Sequence, residues 1–256
     1  MSQSVQVGPS TLAFDKSGSG PAVIIVHGIG GHKEDWADVA ARLAPSHTVY
    51  AVDMLGFGGS SKTGETITIA DQVAAIAGLM DAENIAQADV IGNSVGGWVA
   101  ATLAADHPDR VHRLVLVDAA GFKAMFEGPP PVEFYPQDAS QMAKLLRTVR
   151  FDPSTHQPAY VAKALAASQA SGDGLAAAAV GKGMFVSPRL EDVADRVTAP
   201  TLIIWGAEDK LFPPGIADLV ASHIKGSRKE LIPNASHFPQ LDHPDAFNAA
   251  VSTFLT

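Results

Sequence analysis

The sequence predicts an α/β protein: a mostly parallel central sheet flanked by helices, interrupted late in the chain by a helical insertion. Three observations carry this expectation. Short β-branched apolar runs alternate with longer Ala- and Leu-rich stretches of helical period, the pattern of βαβ units. The runs are apolar nearly throughout, as strands covered by helices on both faces must be. One stretch, from Gly121 to Val197, holds no convincing strand and is too long for a simple loop.

The elements follow in order. Val5–Phe14, with Gly8-Pro9 at its middle, reads as an antiparallel hairpin. Strands are predicted at Ala22–Val26, Thr48–Val52, Ala88–Ile91, Leu114–Val117 and Leu202–Trp205, with a short one at Glu230–Ile232. Helical period places helices over 35–44, 68–81, 95–106, 214–224 and 243–255, the last with Asp242 before Pro244 as its start signal. Within the odd stretch, a proline-rich entry (Gly128-Pro129-Pro130-Pro131, then Pro136) leads to helical segments at 139–150, 156–170 and 173–184. The expected division is a core formed by 1–120 and 198–256, carrying a helical lid at 121–197.

Composition narrows the function classes. Lys+Arg number 18 against 27 Asp+Glu, a net charge of −9, which argues against a nucleic-acid binder with its basic stripe. The absence of cysteine excludes disulfides, thiolate metal sites, Fe–S clusters and cysteine nucleophiles. At 46% hydrophobic and 18% charged, the 256 residues can bury a substantial core. No apolar run approaches the roughly 18–20 residues of a membrane span, and Met1–Ser10 has no basic or apolar targeting pattern, so a cytoplasmic protein without membrane contact is expected. His27 and His32 share a loop without a carboxylate spacing that resembles a ligand set, and Gly30-Gly31 opens no G-x-G-x-x-G, so neither metal nor cofactor is expected.

The chemistry concentrates at Gly92-Asn93-Ser94-Val95-Gly96, a G-x-S-x-G with a strand running in and a helix running out. In that context the serine occupies a sharp strand-to-helix turn, its hydroxyl exposed above the sheet, and Ser94 is the expected nucleophile. The helix N-terminus beneath it supplies backbone N–H groups where an oxyanion would develop.

The elbow, together with His27-Gly28-Ile29-Gly30-Gly31 directly after an early strand, resembles the α/β-hydrolase fold family. The resemblance covers most of 20–120 and 198–256, but not the insertion. It implies that Ile29 and Val95 donate the two oxyanion-hole N–H groups, and that the triad runs Ser…Asp…His along the chain. Gly206-Ala207-Glu208-Asp209 resembles the family's acid loop, and Asn234-Ala235-Ser236-His237-Phe238 its histidine loop. Carried over, Asp209 orients His237, which accepts the Ser94 proton. Asp118, after Leu114–Val117, and Glu208 are rivals for the acid, with Asp118 expected instead to cap a turn into the insertion. His27 is expected to bond loop backbone, Asp53 to serve its turn, and Trp98 to pack on the sheet.

Single positions set some relatives aside. Dehalogenases and epoxide hydrolases of this layout carry a carboxylate at the elbow, where this chain has Ser94; hydroxynitrile lyases place Lys after the histidine, where Phe238 stands. A carboxylesterase acting on small soluble esters ranks first. A C–C bond hydrolase of the meta-cleavage-product type, acting on a diketo acid, ranks second: Gly92–Trp98 and His243–Asn248 resemble that family, but Gly30-Gly31-His32-Lys33 lacks its Gly-Pro-Gly character. An acidic substrate would need a cation from the insertion, for which Arg147 and Arg150 are candidates against the plainer reading of a solvated helix face. Met125, Phe126, Phe134, Tyr135, Phe151, Met184 and Phe185 could roof an acyl pocket. A small-molecule receptor on the same fold is the third reading.

Overall fold

A computed structural model describes residues 2–62 and 64–256. Among these residues, eight strands form one sheet: β1 Ser2–Val7, β2 Ser10–Gly18, β3 Ala22–Val26, β4 Thr48–Val52, β5 Ala88–Asn93, β6 Val111–Val117, β7 Thr201–Gly206 and β8 Arg228–Ile232, in the order β1-β2-β4-β3-β5-β6-β7-β8. β1 and β2 pair antiparallel, β2 lies antiparallel to β4, and every pairing from β4 to β8 is parallel.

Successive strand residues face opposite ways. Ile24 and Val26 join the core under α2 (Ile69–Ala82) and α3 (Val95–Asp106), whereas Val23 and Ile25 join the core under α1 (Ala37–Leu43) and the C-terminal helix, around Trp36 and Phe247. Both faces are therefore covered, which explains strands that are apolar throughout rather than alternating. α2 starts where its sequence says it should: Thr68 Oγ1 accepts the Asp71 N–H at 3.1 Å, and Asp71 accepts the Thr68 N–H at 2.8 Å.

The parallel register aligns the strand ends. Val26 sits opposite Gly92, Asn93 opposite Val117, and Val117 opposite Ile204. The residues that follow β3, β5, β6 and β7 consequently emerge along one edge, where ligands bind in open parallel sheets.

Between β6 and β7 lie α4 (Ala139–Val149), α5 (Pro158–Ala170), α6 (Gly174–Val186) and the one-turn α7 (Glu191–Ala194). Met142, Leu146 and Val161 join α4 to α5. α6 is stitched to the core: the Ile67 N–H donates to Ala179 O at 3.1 Å, and a Cβ on Gly183 would lie 1.8 Å from Ile67 O. α7 packs on α3 and on α8 (Gly215–His223); the chain closes with α9 (Pro239–Asp242) and α10 (Pro244–Leu255).

Several boundaries move. β6 begins at Val111, because His112 and Arg113, polar residues that hide a strand from a hydrophobicity reading, sit beside buried Asp89 on β5. Residues 35–44 divide into a 3₁₀ turn (Lys33–Trp36) and α1. α7 and α9, at four residues each, are too short to show a period. Asp242 does not cap α10: His243 occupies that position, and the Asp242 carboxylate accepts the N–H groups of Phe151 and Ser236 and pairs with Arg150.

Candidate active site

Ser94 joins β5 to α3 with φ 54° and ψ −120°, a conformation rare for a residue bearing a side chain. Such strain costs on the order of 1–3 kcal/mol and persists only where surroundings enforce it. Here the glycines permit it: a Cβ on Gly96 would lie 2.3 Å from the carbonyl oxygens of both Val26 and His27, and one on Gly92 would lie 2.2 Å from Gly96 O. The elbow can therefore press against the end of β3 only with glycine at both flanks.

His237 and Asp209 meet across the loops after β8 and β7. The His237 Nδ1–H donates to Asp209 Oδ2 at 2.8 Å, with both residues buried. Asp209 Oδ1 accepts the N–H groups of Leu211 at 2.7 Å and Phe212 at 3.0 Å, so the carboxylate is held from both ends. Close packing of these loops requires Gly206, where a Cβ would lie 1.9 Å from Ser236 O. The imidazole stands edge-on between Phe212 and Phe238, at 5.1 and 5.2 Å between ring centres. Asn93 ties the elbow to this loop: its Nδ2 donates to His237 O and to Val117 O, both at 3.1 Å.

The early loop lies against the elbow, with a Cβ on Gly28 placed 2.8 Å from Ser94 Cβ. His27 Nδ1–H donates to Gly28 O at 2.7 Å and Nε2 accepts the Met54 N–H at 3.0 Å, so the ring is consumed by loop backbone. Burial pushes its pKa below the ordinary histidine value. Ile29 and Val95 flank Ser94 in one cavity, and among the described residues their backbone N–H groups take no protein acceptor. Asp53 accepts the N–H groups of Lys33 and Gly59, each at 2.9 Å, and the Lys33 ammonium at 3.0 Å; burial would raise its pKa, but these donors hold it below the ordinary carboxylate value.

Ser94 stands where two cavities meet. One, of about 310 Å³, also carries His237, Arg150, His32, Tyr135 and Tyr160. The other, of about 210 Å³, is apolar, walled by Met125, Phe126, Phe134, Met184 and Phe185. Phe151 lines neither and is 40% exposed. A cavity of about 390 Å³ lies elsewhere, between the β1–β2 hairpin and α2, away from these residues. The two arginines separate: Arg147 is exposed on α4, whereas Arg150 follows that helix, reaches the first cavity and pairs with buried Asp242 at 2.8 Å.

Three features escape sequence reasoning. His32 Nε2 meets Asp173, at the start of α6, at 2.7 Å, and Lys62 Nζ lies 3.0 Å from the same buried carboxylate. Asn93 joins two loops. Asp118 does not cap a turn: it is buried at the end of β6, where Oδ1 accepts the Gly206 N–H at 2.9 Å. Asp118, Asp209 and His237 offer donor atoms within 4.8 Å of one another, the geometry of a metal cluster among the described residues. His237 Nδ1 is already committed to Asp209, so hydrogen bonding accounts for the grouping without a cation. Glu208, the other rival acid, accepts the Ala235 N–H at 3.1 Å. Trp98 is fully buried, edge-on to Phe126.

The comparisons with known proteins agree with this architecture. A family model described as alpha/beta hydrolase fold matches residues 21–244. The chain is 33% identical over 253 residues to the 2-hydroxymuconate semialdehyde hydrolase of Pseudomonas sp. (strain CF600), covering 93% of this chain and 88% of that one. It is 28% identical to the pimeloyl-[acyl-carrier protein] methyl ester esterase of Neisseria meningitidis, covering 91% and 93%. Among solved structures, the meta-cleavage product hydrolase from Pseudomonas fluorescens IP01 superposes with TM-score 0.89 at 25% identity, covering 99% and 97%. No helix among the described residues is long and apolar enough to cross a membrane.

Proposed function

This chain belongs to the alpha/beta hydrolase fold family, and from that premise we propose that it is a serine hydrolase cleaving small carboxylic esters through an acyl-enzyme on Ser94. The observation that carries the reading is the buried Asp209–His237 hydrogen bond, with His237 and Ser94 facing one cavity. Ser94 Oγ attacks the ester carbonyl carbon while His237 Nε2 takes its proton, and Asp209 stabilises the imidazolium through Nδ1–H. The oxyanion forms between the N–H groups of Ile29 and Val95, whose freedom from protein acceptors suits that role. Collapse breaks the C–O bond to the alcohol, whose oxygen takes the proton from His237. Water, deprotonated by His237, then attacks the acyl carbon and returns Ser94 to its hydroxyl. These steps call on no metal or cofactor.

In the same reading residues 121–197 are a lid over a core of 1–120 and 198–256, the two cavities divide acyl and alcohol portions of a small-molecule substrate, and the setting is cytoplasmic. The second reading, C–C cleavage of a vinylogous diketo acid, is favoured by one observation: Arg150 presents a cation in the cavity that holds Ser94. A panel of p-nitrophenyl esters set beside a meta-cleavage diketo acid decides between them. Fast acetate or butyrate hydrolysis without diketo-acid cleavage supports the esterase; a strong preference for the diketo acid, lost in an Arg150→Leu variant that stays folded and keeps its residual ester turnover, supports the second. Tight binding of a small ligand without turnover of either would return the receptor. A fluorophosphonate is expected to label Ser94 and no other serine; labelling elsewhere would refute the assigned nucleophile.

A further inference from the structure

Asp118 is a buried carboxyl with an unexplained oxygen. It follows β6 with φ 43°, a left-handed conformation that Asp tolerates better than most side chains. Oδ1 accepts the Gly206 N–H at 2.9 Å, yet Oδ2 is buried without any partner among the described residues. An ionised oxygen left in that state would carry a full desolvation cost. A protonated one needs only an acceptor. Asp209 is the nearby candidate: the two carboxyls have donor atoms within 4.8 Å of each other, and although the Asp209 oxygens take hydrogen bonds from Leu211, Phe212 and His237, a carboxylate has about four acceptor sites.

The charges around this corner point the same way. Asp209 faces it from the loop after β7, His237 from the loop after β8, and Asp242 from α9, the last paired with Arg150. Burial pushes the Asp118 carboxyl well above the ordinary carboxylate range, the Asp209 charge adds to this, and the Gly206 N–H only partly opposes it.

We propose that Asp118 keeps a proton on Oδ2 and donates it in a hydrogen bond to Asp209, forming a buried carboxyl–carboxylate pair that positions the acid behind His237. The proposal rests on the Ser94–His237–Asp209 reading and makes Asp118 a positioning residue, not a group that meets substrate. One proton and one negative charge are shared by two carboxyls. Loss of that proton would set two charges side by side behind the imidazole.

Difference infrared spectroscopy with carboxyl-labelled aspartate tests this directly at neutral pH. The wild type is expected to show the carbonyl stretch of a protonated carboxylic acid, and D118N to lack it. An Asn at 118 can still accept from Gly206 and donate to Asp209, whereas Leu can do neither. D118L should therefore lose about 10- to 100-fold in kcat with KM unmoved, the size of one hydrogen bond to a charged partner, and D118N should recover most of that loss. Folding of the wild type takes up this proton, so its stability should fall as pH rises from the carboxylate range, relative to D118N. Absence of the infrared band, or its persistence in D118N, overturns the pair even if D118L fails to fold. Equal activity of D118L and wild type overturns the positioning role. Fluorophosphonate labelling of the same wild-type preparation reports separately on Ser94, so failure of the underlying relay is told apart from failure of the pair.

Discussion

Asp209→Asn isolates what the acid does for the imidazole. The side chain cannot choose its amide orientation freely, because Oδ1 accepts the N–H groups of both Leu211 and Phe212. The amide oxygen must stay there, which places Nδ2 against His237 Nδ1 where Oδ2 now accepts. His237 is then driven to the tautomer that carries its proton on Nε2, and an N–H cannot take a proton from Ser94. Turning the amide over would set NH2 against two N–H donors, at about 1–3 kcal/mol for each lost partner. The useful orientation is therefore held by roughly one molecule in 30 to one in 10⁴. A fall in kcat of about 30- to 10⁴-fold is expected, about 2–5 kcal/mol of barrier, its upper end the size of acid-to-amide changes in other triads. Saturation kinetics on p-nitrophenyl butyrate would measure it, with circular dichroism to show an intact fold and the histidine ring-nitrogen proton followed by NMR. Retention of more than a tenth of wild-type kcat, with activity abolished in Asp118→Asn, would refute the reasoning and transfer the acid role to Asp118.

Three further outcomes follow from other contacts. Gly96→Ala puts a Cβ 2.3 Å from two backbone carbonyl oxygens and shifts the elbow; overpacking of this kind costs about 1–3 kcal/mol, read as a drop of about 2–12 °C in Tm for a chain of this size, with activity lost beyond that drop. Arg150→Leu strands the buried Asp242 carboxylate and should destabilise by about 3–5 kcal/mol in urea unfolding, whereas Arg147→Leu, at an exposed position, should stay within about 0.5 kcal/mol. His27 is held neutral with a depressed pKa, first through burial, so the unfolded chain binds its proton more readily. Its stabilisation is present above the unfolded value of about 6.5 and is lost as pH falls towards the folded one. Unfolding midpoints of wild type and His27→Gln should converge on acidification; a constant gap would contradict this.

How much was legible follows from the range of the interactions involved. The elbow is a local object: strand, glycine, serine and glycine are contiguous, and the conformation at Ser94 needs only its neighbours and the end of β3. Asp209 and His237 were assigned through the resemblance and its Ser…Asp…His order, each after a strand legible in the sequence, one apolar throughout and one short. Which carboxylate meets the imidazole was assigned to Asp209 through the resemblance and not through local pattern, since Asp118 and Asp209 each follow a strand that ends on the same edge. It is decided by where the loop after β8 returns, which brings His237 Nδ1 to Asp209 and leaves Asp118 behind it. The expected turn cap at Asp118 failed for that reason.

From the amino acids alone came the layered α/β plan, the strand-to-helix turn at Ser94 and the run of helices between β6 and β7, because local hydrophobic period and glycine placement act over a few residues. Tertiary structure alone decided which polar groups share a proton or a charge. Arg150 with Asp242, His32 with Asp173 and Asn93 with the His237 carbonyl are separated by 92, 141 and 144 positions. No local pattern encodes such pairs; they arise when sheet register and helix docking remove water from groups that must then satisfy one another.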